Sequence, residues 1–209
     1  MNDGKILPRV GFLLWLIPAT WLAHATAIEP DAEEERIEAT DPIEKLAAQA
    51  RSSVVVIESV DRANREGGMG TGFVVREDGV IATNFHVIGE HRAFRVKLSD
   101  GKTYEPKAIL AVDRNKDLAL VQIDRDGLTP LPLGDSDGLS PGQAILSLGN
   151  PLGFDFSVSQ GVVAALRELE DNPMIQVAIT IEPGSSGSPV LDMKGNVIGA
   201  IAIKSGGAM

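Results

Sequence analysis

Between two apolar runs near its end, the chain reads Glu182-Pro183-Gly184-Ser185-Ser186-Gly187-Ser188-Pro189-Val190. The segment holds a Gly-x-Ser-Gly-x-Pro frame, and such a turn can present one serine hydroxyl beside two backbone N–H groups. Donors placed in this way form an oxyanion hole, which stabilises the negative charge on a carbonyl oxygen under attack. The segment therefore predicts a serine nucleophile, Ser186, with an oxyanion hole formed by the N–H groups of Gly184 and Ser186.

Three serines of this segment compete for the role of nucleophile, namely Ser185, Ser186 and Ser188. Composition does not choose among them, but register does, because only Ser186 is the serine of a Gly-x-Ser-Gly frame. Ser185 is the next candidate. Gly187 would let the chain pass close behind the nucleophile.

Two earlier segments supply a base and an acid: Ala82-Thr83-Asn84-Phe85-His86-Val87-Ile88 and Asn115-Lys116-Asp117-Leu118-Ala119-Leu120-Val121. A serine hydroxyl is a weak nucleophile, so it needs a base within hydrogen-bond reach, and that base needs a partner that fixes its tautomer. Histidine suits the middle role because it gains and loses a proton near neutral pH. We interpret His86 as the general base and Asp117 as the group that orients it. Each motif alone is more often structural, but the order His, Asp, Ser is that of the chymotrypsin-type triad.

The composition excludes several classes of protein. With 44% hydrophobic residues in 209, the chain can bury a core, and its formal net charge of −10 argues against binding to nucleic acid. It has no cysteine, which excludes the disulfide-stapled serine proteases. Its few histidines form no cluster with ligand spacing, so we expect neither a metal site nor a cofactor. We interpret His91 as a surface residue.

The first residues resemble a secretory signal peptide. Lys5 and Arg9 precede an apolar stretch that ends at Ala25-Thr26-Ala27, an A-x-A cleavage pattern. We expect cleavage after Ala27 and no stable membrane span in the mature chain. An uncleaved anchor is the alternative, although the stretch is shorter than the roughly 18–20 apolar residues that a bilayer requires. Residues 28–40 carry six acidic residues against the single Arg36 and predict a solvated linker.

The remainder predicts an all-β fold behind one short helix. Asp41 can cap a helix that starts at Pro42, with Ile43, Leu46, Ala47 and Ala50 on one face. Eleven short β-rich runs follow, typical of a barrel or sandwich: Val54–Val60, Phe73–Val75, Val80–Thr83, Phe94–Leu98, Glu105–Val112, Leu118–Ile123, Ala144–Leu148, Ser157–Ala165, Met174–Ile179, Pro189–Leu191 and Val197–Lys204. A connection rich in Gly and Pro, between Asp124 and Gly142, separates the two groups of strands.

The motifs together resemble the HtrA/Deg group of trypsin-like serine proteases. The matching segments run from about Pro42 to Ile203, and besides the three above they include Leu133-Gly134-Asp135-Ser136-Asp137, Gly149-Asn150-Pro151-Leu152-Gly153-Phe154 and Ser157-Val158-Ser159-Gln160-Gly161-Val162-Val163.

The resemblance implies a double six-stranded β-barrel of chymotrypsin/trypsin type over residues 41–209, with barrel one at about 52–126 and barrel two at about 139–209. It also implies a triad of His86, Asp117 and Ser186, and a secreted protein of the bacterial periplasm. The substrates expected from the resemblance are unfolded or damaged polypeptides. Trimers built through the N-terminal segment are a further implication.

Departures from the family pattern bear on activity. Ser185 stands where the family has asparagine, Ser188 where it has glycine, and Glu182 where it has asparagine. The family continues into a last barrel strand, a helix and one or two PDZ domains, whereas this sequence stops at Met209. We therefore expect a second barrel that is incomplete or closed differently.

Three functions remain open at this point. A secreted serine endopeptidase is the leading hypothesis. A protease-fold binding or chaperone protein is the second, because of the departures. A lipase or esterase is the weakest, because β-rich sequence follows Ser186 where a strand–elbow–helix would be expected. Segments 62–70 and 154–156 resemble loops that gate activity.

Overall fold

Runs of valine, isoleucine and alternating apolar residues form the strands of the computed structural model, which describes residues 41–60, 66–89, 93–150, 156–169 and 172–202. These residues belong to one unit of the chain, Ala39–Met209. The expected signal peptide, the acidic linker and His91 lie outside the described residues. So do residues 62–65 and 154–155 of the two expected loops.

The first sheet has seven described strands, all antiparallel to their neighbours, in the order β5-β4-β1-β2-β3-β7-β6. They are β1 (Val54–Val60), β2 (Glu66–Arg76), β3 (Val80–Thr83), β4 (Ala93–Lys97), β5 (Thr103–Tyr104), β6 (Pro106–Asp113) and β7 (Leu118–Ile123). Gly79 has φ +87° in the turn between β2 and β3, as the Asp78-Gly79 pair predicts.

The second sheet has five described strands in the order β10-β9-β8-β11-β12. They are β8 (Ala144–Gly149), β9 (Ser157–Leu169), β10 (Asn172–Ala178), β11 (Pro189–Asp192) and β12 (Val197–Ala200). The all-β expectation is confirmed, since the two sheets are curled half-barrels. The described strands divide seven and five, where the sequence predicted six in each barrel.

The apolar core consists of three clusters. The first fills the seven-stranded sheet and includes Ile57, Ile81 and Val121, whereas the third fills the five-stranded sheet and includes Ile145 and Val163. The second cluster draws from both sheets: Val54, Phe73 and Ala82 of the first sheet, and Leu146, Leu148 and Leu191 of the second. This shared cluster joins the two sheets by burial of apolar side chains.

The described residues include two short helices. Helix α1 (Pro42–Ala50) begins as predicted, because Asp41 Oδ1 accepts a hydrogen bond of 2.9 Å from the N–H of Ile43 and Pro42 occupies the first turn. Ala47 and Ala50 are buried in the shared cluster, so α1 packs its predicted face against it. A turn of 3-10 helix, Arg51–Ser53, leads into β1, and helix α2 (Phe85–Gly89) follows β3.

Candidate active site

His86 and Asp117 form a hydrogen-bonded pair at one end of the first sheet. His86 Nδ1 lies 2.6 Å from Asp117 Oδ2, and the backbone N–H of His86 donates to Asp117 Oδ1 over 2.9 Å. Both carboxylate oxygens are therefore used to hold one residue. The side chain of His86 is 43% exposed and that of Asp117 15%, so the imidazole remains accessible to a substrate while its partner is mostly covered.

Strand pairing brings this pair together. Strands β3 and β7 are antiparallel neighbours, with Thr83 opposite Ala119, so the end of β3 lies beside the start of β7. Helix α2 follows the first and carries His86, whereas Asp117 immediately precedes the second. Two residues that are 31 positions apart in sequence thus become neighbours.

The backbone of Asp117 is held in an uncommon conformation. Its φ is +54°, in the left-handed region that aspartate tolerates better than most residues. Its carbonyl accepts two hydrogen bonds, from the N–H of Phe85 at 3.1 Å and from Asn84 Nδ2 at 2.9 Å. These bonds attach the turn before β7 to the start of α2, and they fix the carboxylate relative to the imidazole.

Ser186 lies in the turn that leads into β11, and the residue is only 8% exposed. The turn begins at Glu182, whose carbonyl accepts from the N–H of Ser185 over 3.0 Å. Pro183 and Gly184 are the central residues, and Gly184 has φ +96°, as a type II turn requires. The local sequence thus produces the tight backbone that the Gly-x-Ser-Gly frame predicts.

Among the described residues, two backbone N–H groups of this turn have no hydrogen-bond partner. Within the described part of the chain, no hydrogen bond uses the N–H of Gly184 or that of Ser186, whereas the N–H groups of Ser185, Gly187 and Ser188 all donate to carbonyls. Gly184 and Ser186 are the residues that the sequence predicts for an oxyanion hole. Unpaired donors on one turn can stabilise an oxyanion.

The turn of Ser186 rests on strand β2 of the other sheet. The N–H of Thr71 donates to the carbonyl of Ser186 over 2.8 Å. A Cβ placed on Gly70 would lie 2.6 Å from Val87 Cγ1 and 3.2 Å from the Ser186 carbonyl oxygen. Val87 follows His86 directly, so the backbone of Ser186 approaches α2 at this point. Among the described residues, no hydrogen bond joins the Ser186 hydroxyl to the His86 imidazole.

Ser188 and Ser185, two of the departures from the family pattern, occupy different environments. Ser188 is 1% exposed, and its buried hydroxyl has no hydrogen-bond partner among the described residues. A Cβ on Gly149 would lie 2.2 Å from Ser188 Oγ, so the hydroxyl fills space that β8 leaves open only because it has glycine there. Ser185 Oγ accepts from the N–H of Glu182 over 3.4 Å at the surface.

Sequence reasoning missed two residues that hold this site, Thr71 and Asn84. Thr71 Oγ1 donates to the carbonyl of Gly184 over 2.9 Å, across 113 positions of sequence. Asn84 Nδ2 contacts the carbonyl of Asp117 as described above. Thr71 lies in β2 and Asn84 directly follows β3, but their partners are distant in sequence, and no local pattern signals such a bond.

The described residues contain no candidate metal site. Nowhere in them do three or more His, Cys, Asp or Glu side chains come together in a way that could hold a metal ion. Nor do they include a helix with the length and hydropathy needed to cross a bilayer.

Comparisons with known proteins agree with this geometry. The family model for a trypsin-like peptidase domain matches residues 70–199. A DegP-like periplasmic serine endoprotease of Marinomonas sp. is 42% identical over 148 residues, which are 68% of this chain and 31% of the relative. A protein of the same description from Pseudomonas putida is 38% identical over 156 residues, 71% of this chain and 32% of the relative. The chain therefore spans about a third of the length of these relatives.

A solved structure of similar fold is that of the HtrA-type protease AlgW, a serine-to-alanine variant with a tripeptide. It superimposes with a TM-score of 0.68 at 30% identity, over 78% of this chain and 56% of the other. The expected chymotrypsin-type fold is thus confirmed. Because the matched segment contains the turn of Ser186 as well as the His86–Asp117 pair, the chain belongs to the family of trypsin-like peptidase domains and is of the HtrA/Deg type.

Proposed function

We propose that the chain is a serine endopeptidase domain that cleaves polypeptides through His86, Asp117 and Ser186. The observation that carries the proposal is the pair formed by His86 and Asp117, in which both carboxylate oxygens hold one accessible histidine. Such an imidazole has one ring nitrogen engaged and the other available to accept a proton. Family membership supports the same assignment.

The reaction proceeds in two halves. Ser186 Oγ attacks the scissile carbonyl carbon while its proton passes to His86 Nε2, and Asp117 stabilises the imidazolium that results. The carbonyl oxygen becomes negative and meets the N–H groups of Gly184 and Ser186. The C–N bond then breaks, His86 gives the proton to the departing amine, and an acyl-enzyme remains.

Water completes the cycle. His86 removes a proton from a water molecule, which attacks the acyl carbon, and a second oxyanion forms at the same N–H groups. Ser186 leaves and recovers its proton from His86. No metal or cofactor enters any of these steps.

We further propose that the protein acts in the bacterial periplasm on unfolded or damaged polypeptides. The support is the description of the relatives as periplasmic endoproteases, together with the predicted signal peptide over residues 1–27. The negative formal charge of −10 disfavours nucleic acid as a partner. Assembly into trimers through the N-terminal segment stays a prediction, because that segment lies outside the described residues.

A fluorophosphonate probe tests the proposed nucleophile. We expect the wild type and Ser185→Ala to be labelled and Ser186→Ala not to be labelled, because the probe reacts only with an activated serine. Casein digestion then tests proteolysis, and His86→Ala should abolish it while circular dichroism remains that of the wild type. Labelling of Ser186→Ala, or casein cleavage by His86→Ala, would contradict the assignment.

A catalytically weak or inactive binding protein is the second candidate. The observation that favours it is the missing hydrogen bond between the Ser186 hydroxyl and His86 in the described residues. If the wild type is not labelled, yet suppresses aggregation of an unfolded polypeptide, this second function replaces the first.

A further inference from the structure

Four hydrogen bonds outside the strand ladders involve Thr71 among the described residues, and three of them join it to Gly184, Ser186 and Asn150, outside the first sheet. Thr71 lies in β2 and is fully buried. Its hydroxyl donates to the carbonyl of Gly184 at 2.9 Å and accepts from the N–H of Asn150 at 3.2 Å. Its backbone N–H donates to the carbonyl of Ser186, and its carbonyl accepts from the hydroxyl of Thr83 at 2.7 Å.

The Thr71 hydroxyl holds the peptide unit that separates the two proposed oxyanion donors. That unit joins Gly184 to Ser185, and both of its polar groups are bonded: the carbonyl to Thr71 Oγ1 and the N–H to the carbonyl of Glu182. The peptide units on either side carry the N–H groups of Gly184 and Ser186. Fixing the middle unit therefore fixes the direction of the donors that flank it.

In the part of the chain that the structure describes, no other side chain bonds this carbonyl: the carbonyl of Gly184 accepts from Thr71 alone. Gly184 has φ +96°, in a region where glycine moves freely, so its backbone has little stiffness of its own. A preorganised oxyanion hole needs donors that do not reorient during the reaction.

The same hydroxyl contacts the start of the segment between the two strands β8 and β9. Asn150 follows the last residue of β8, and its N–H donates to Thr71 Oγ1. The Thr71 hydroxyl thus accepts a hydrogen bond from the backbone of Asn150 and donates one to the carbonyl of Gly184, in the turn of Ser186. A displacement of Asn150 would remove the hydrogen bond that the Thr71 hydroxyl accepts.

We propose that Thr71 is a positioning residue, whose hydroxyl presets the oxyanion hole of Gly184 and Ser186 and couples it to the backbone at Asn150. This inference rests on the proposed peptidase activity for its catalytic consequence. Its structural part, an ordered turn at residues 182–188, does not depend on activity.

The test compares Thr71→Val with Thr71→Ser in the full chain. Valine has nearly the shape of threonine but no hydroxyl, whereas serine keeps the hydroxyl. The substrate is a fluorogenic peptide that contains a site at which the protein cleaves casein. We expect Thr71→Val to lower kcat about 10- to 100-fold and to change KM less than about threefold, because misplaced oxyanion donors weaken mainly the transition state. Thr71→Ser should stay within about threefold of the wild type in both constants.

Ser59→Ala is the matched control. Ser59 is buried in the same sheet, and its hydroxyl also donates to and accepts from one backbone segment, at Gly68, over 2.7 and 2.6 Å. Replacing Ser59 by alanine removes two buried hydrogen bonds of a hydroxyl, as Thr71→Val does, but it leaves the turn of Ser186 unchanged. We expect Ser59→Ala to keep the wild-type kcat. A fall in kcat as large as that of Thr71→Val would show that the effect is one of stability, and it would overturn the proposal.

Amide hydrogen exchange separates this proposal from the proposed function. In Thr71→Val, a peptide that covers residues 182–188 should exchange faster than in the wild type or in Thr71→Ser, whether or not the protein cleaves peptides. Unchanged exchange in this peptide, or a failure of serine to restore it, would overturn the positioning role. A wild type without peptidase activity but with the expected exchange would refute the proposed function and leave the ordering role of Thr71 supported.

Discussion

Each carboxylate oxygen of Asp117 is hydrogen-bonded to His86, one to its backbone N–H and one to Nδ1 of its ring. This double contact determines how a substitution of Asp117 affects the histidine. In Asp117→Asn the side-chain amide offers one acceptor oxygen, so it cannot accept from both the N–H and the Nδ1 of His86. The imidazole then loses its fixed tautomer, with the proton on the wrong nitrogen. In a serine-protease triad this change lowers kcat by about 10⁴-fold.

We therefore expect Asp117→Asn to lower kcat by about 10³- to 10⁴-fold, with little change in stability, because asparagine also tolerates a positive φ. The measurement is kcat on the fluorogenic peptide, with urea unfolding alongside. Asp113→Asn is the control: Asp113 accepts the N–H groups of Asn115 and Lys116 in the same turn but does not touch His86. An equal loss of kcat in both variants would refute the role of Asp117.

Among single residues, the sequence predicts the side chains proposed for the chemistry but not those that hold them in place. His86, Asp117 and Ser186 could be named because each lies in a short motif of residue types that the chemistry needs. Thr71 could not, since its role depends on a hydrogen bond across 113 positions. The contact between Asp117 and His86 still required the fold, because the pairing of β3 with β7 brings the two residues together.

The carboxylate of Asp192 holds the turn between β11 and β12 through several hydrogen bonds. Asp192 Oδ1 accepts from the N–H groups of Lys194 and Asn196, and Oδ2 accepts from Asn196 Nδ2. Burial alone would raise the pKa of Asp192, but these hydrogen bonds and the charge of Lys194 together hold the pKa below its ordinary value of 3.8. The folded state thus favours the ionised carboxylate.

Stability should therefore depend on pH through Asp192 in a stated direction. A carboxyl whose pKa is lowered by folding stabilises the folded state at pH values above its unfolded pKa, and this contribution is lost as the pH falls through the folded pKa. We expect Asp192→Asn to unfold at lower urea concentration than the wild type at pH 7, and the gap to close below about pH 4. A gap of constant size between pH 7 and pH 3 would contradict this account.

Most strands could be predicted because their bounds follow from local composition, as in β1, β3 and β7, whose observed ranges equal the predicted ones. Strand β9 is longer than the run Ser157–Ala165 predicted, and it ends at Leu169. Its last residues include Arg167 and Glu168, which local propensity disfavours in strands. Pairing with β10 extends it, and Arg167 Nε donates to Gln176 Oε1 on that neighbour over 3.1 Å. Helix α2 has five residues, too few for a helical period to be seen in sequence.

At the scale of the whole molecule, the shared cluster makes the two sheets depend on each other. Leu191 of β11 is fully buried in this cluster, with Val54 and Phe73 of the first sheet among its members. Ile123 of β7 is equally buried, but in the cluster of the first sheet. Two aliphatic residues of the same size thus belong to different parts of the core.

We expect Leu191→Ala to lower the free energy of unfolding by about 2–5 kcal/mol and to speed amide exchange in both β2 and β8. Ile123→Ala should cost a similar amount but speed exchange mainly in the strands of the first sheet. The measurements are urea unfolding and hydrogen exchange by mass spectrometry. Faster exchange confined to the second sheet in Leu191→Ala would show that the sheets are energetically independent.

Gly70 leaves no room for a side chain between Val87 of α2 and the carbonyl of Ser186. A methyl group there would overlap the side chain of Val87, next to the proposed base, and would press tightly against the carbonyl oxygen of Ser186, the proposed nucleophile. The space between Val87 and the carbonyl of Ser186 therefore accommodates only backbone atoms. A larger residue would have to push Val87 or the backbone of Ser186 aside, so glycine at this position is what lets the two segments that carry the proposed base and nucleophile approach each other here.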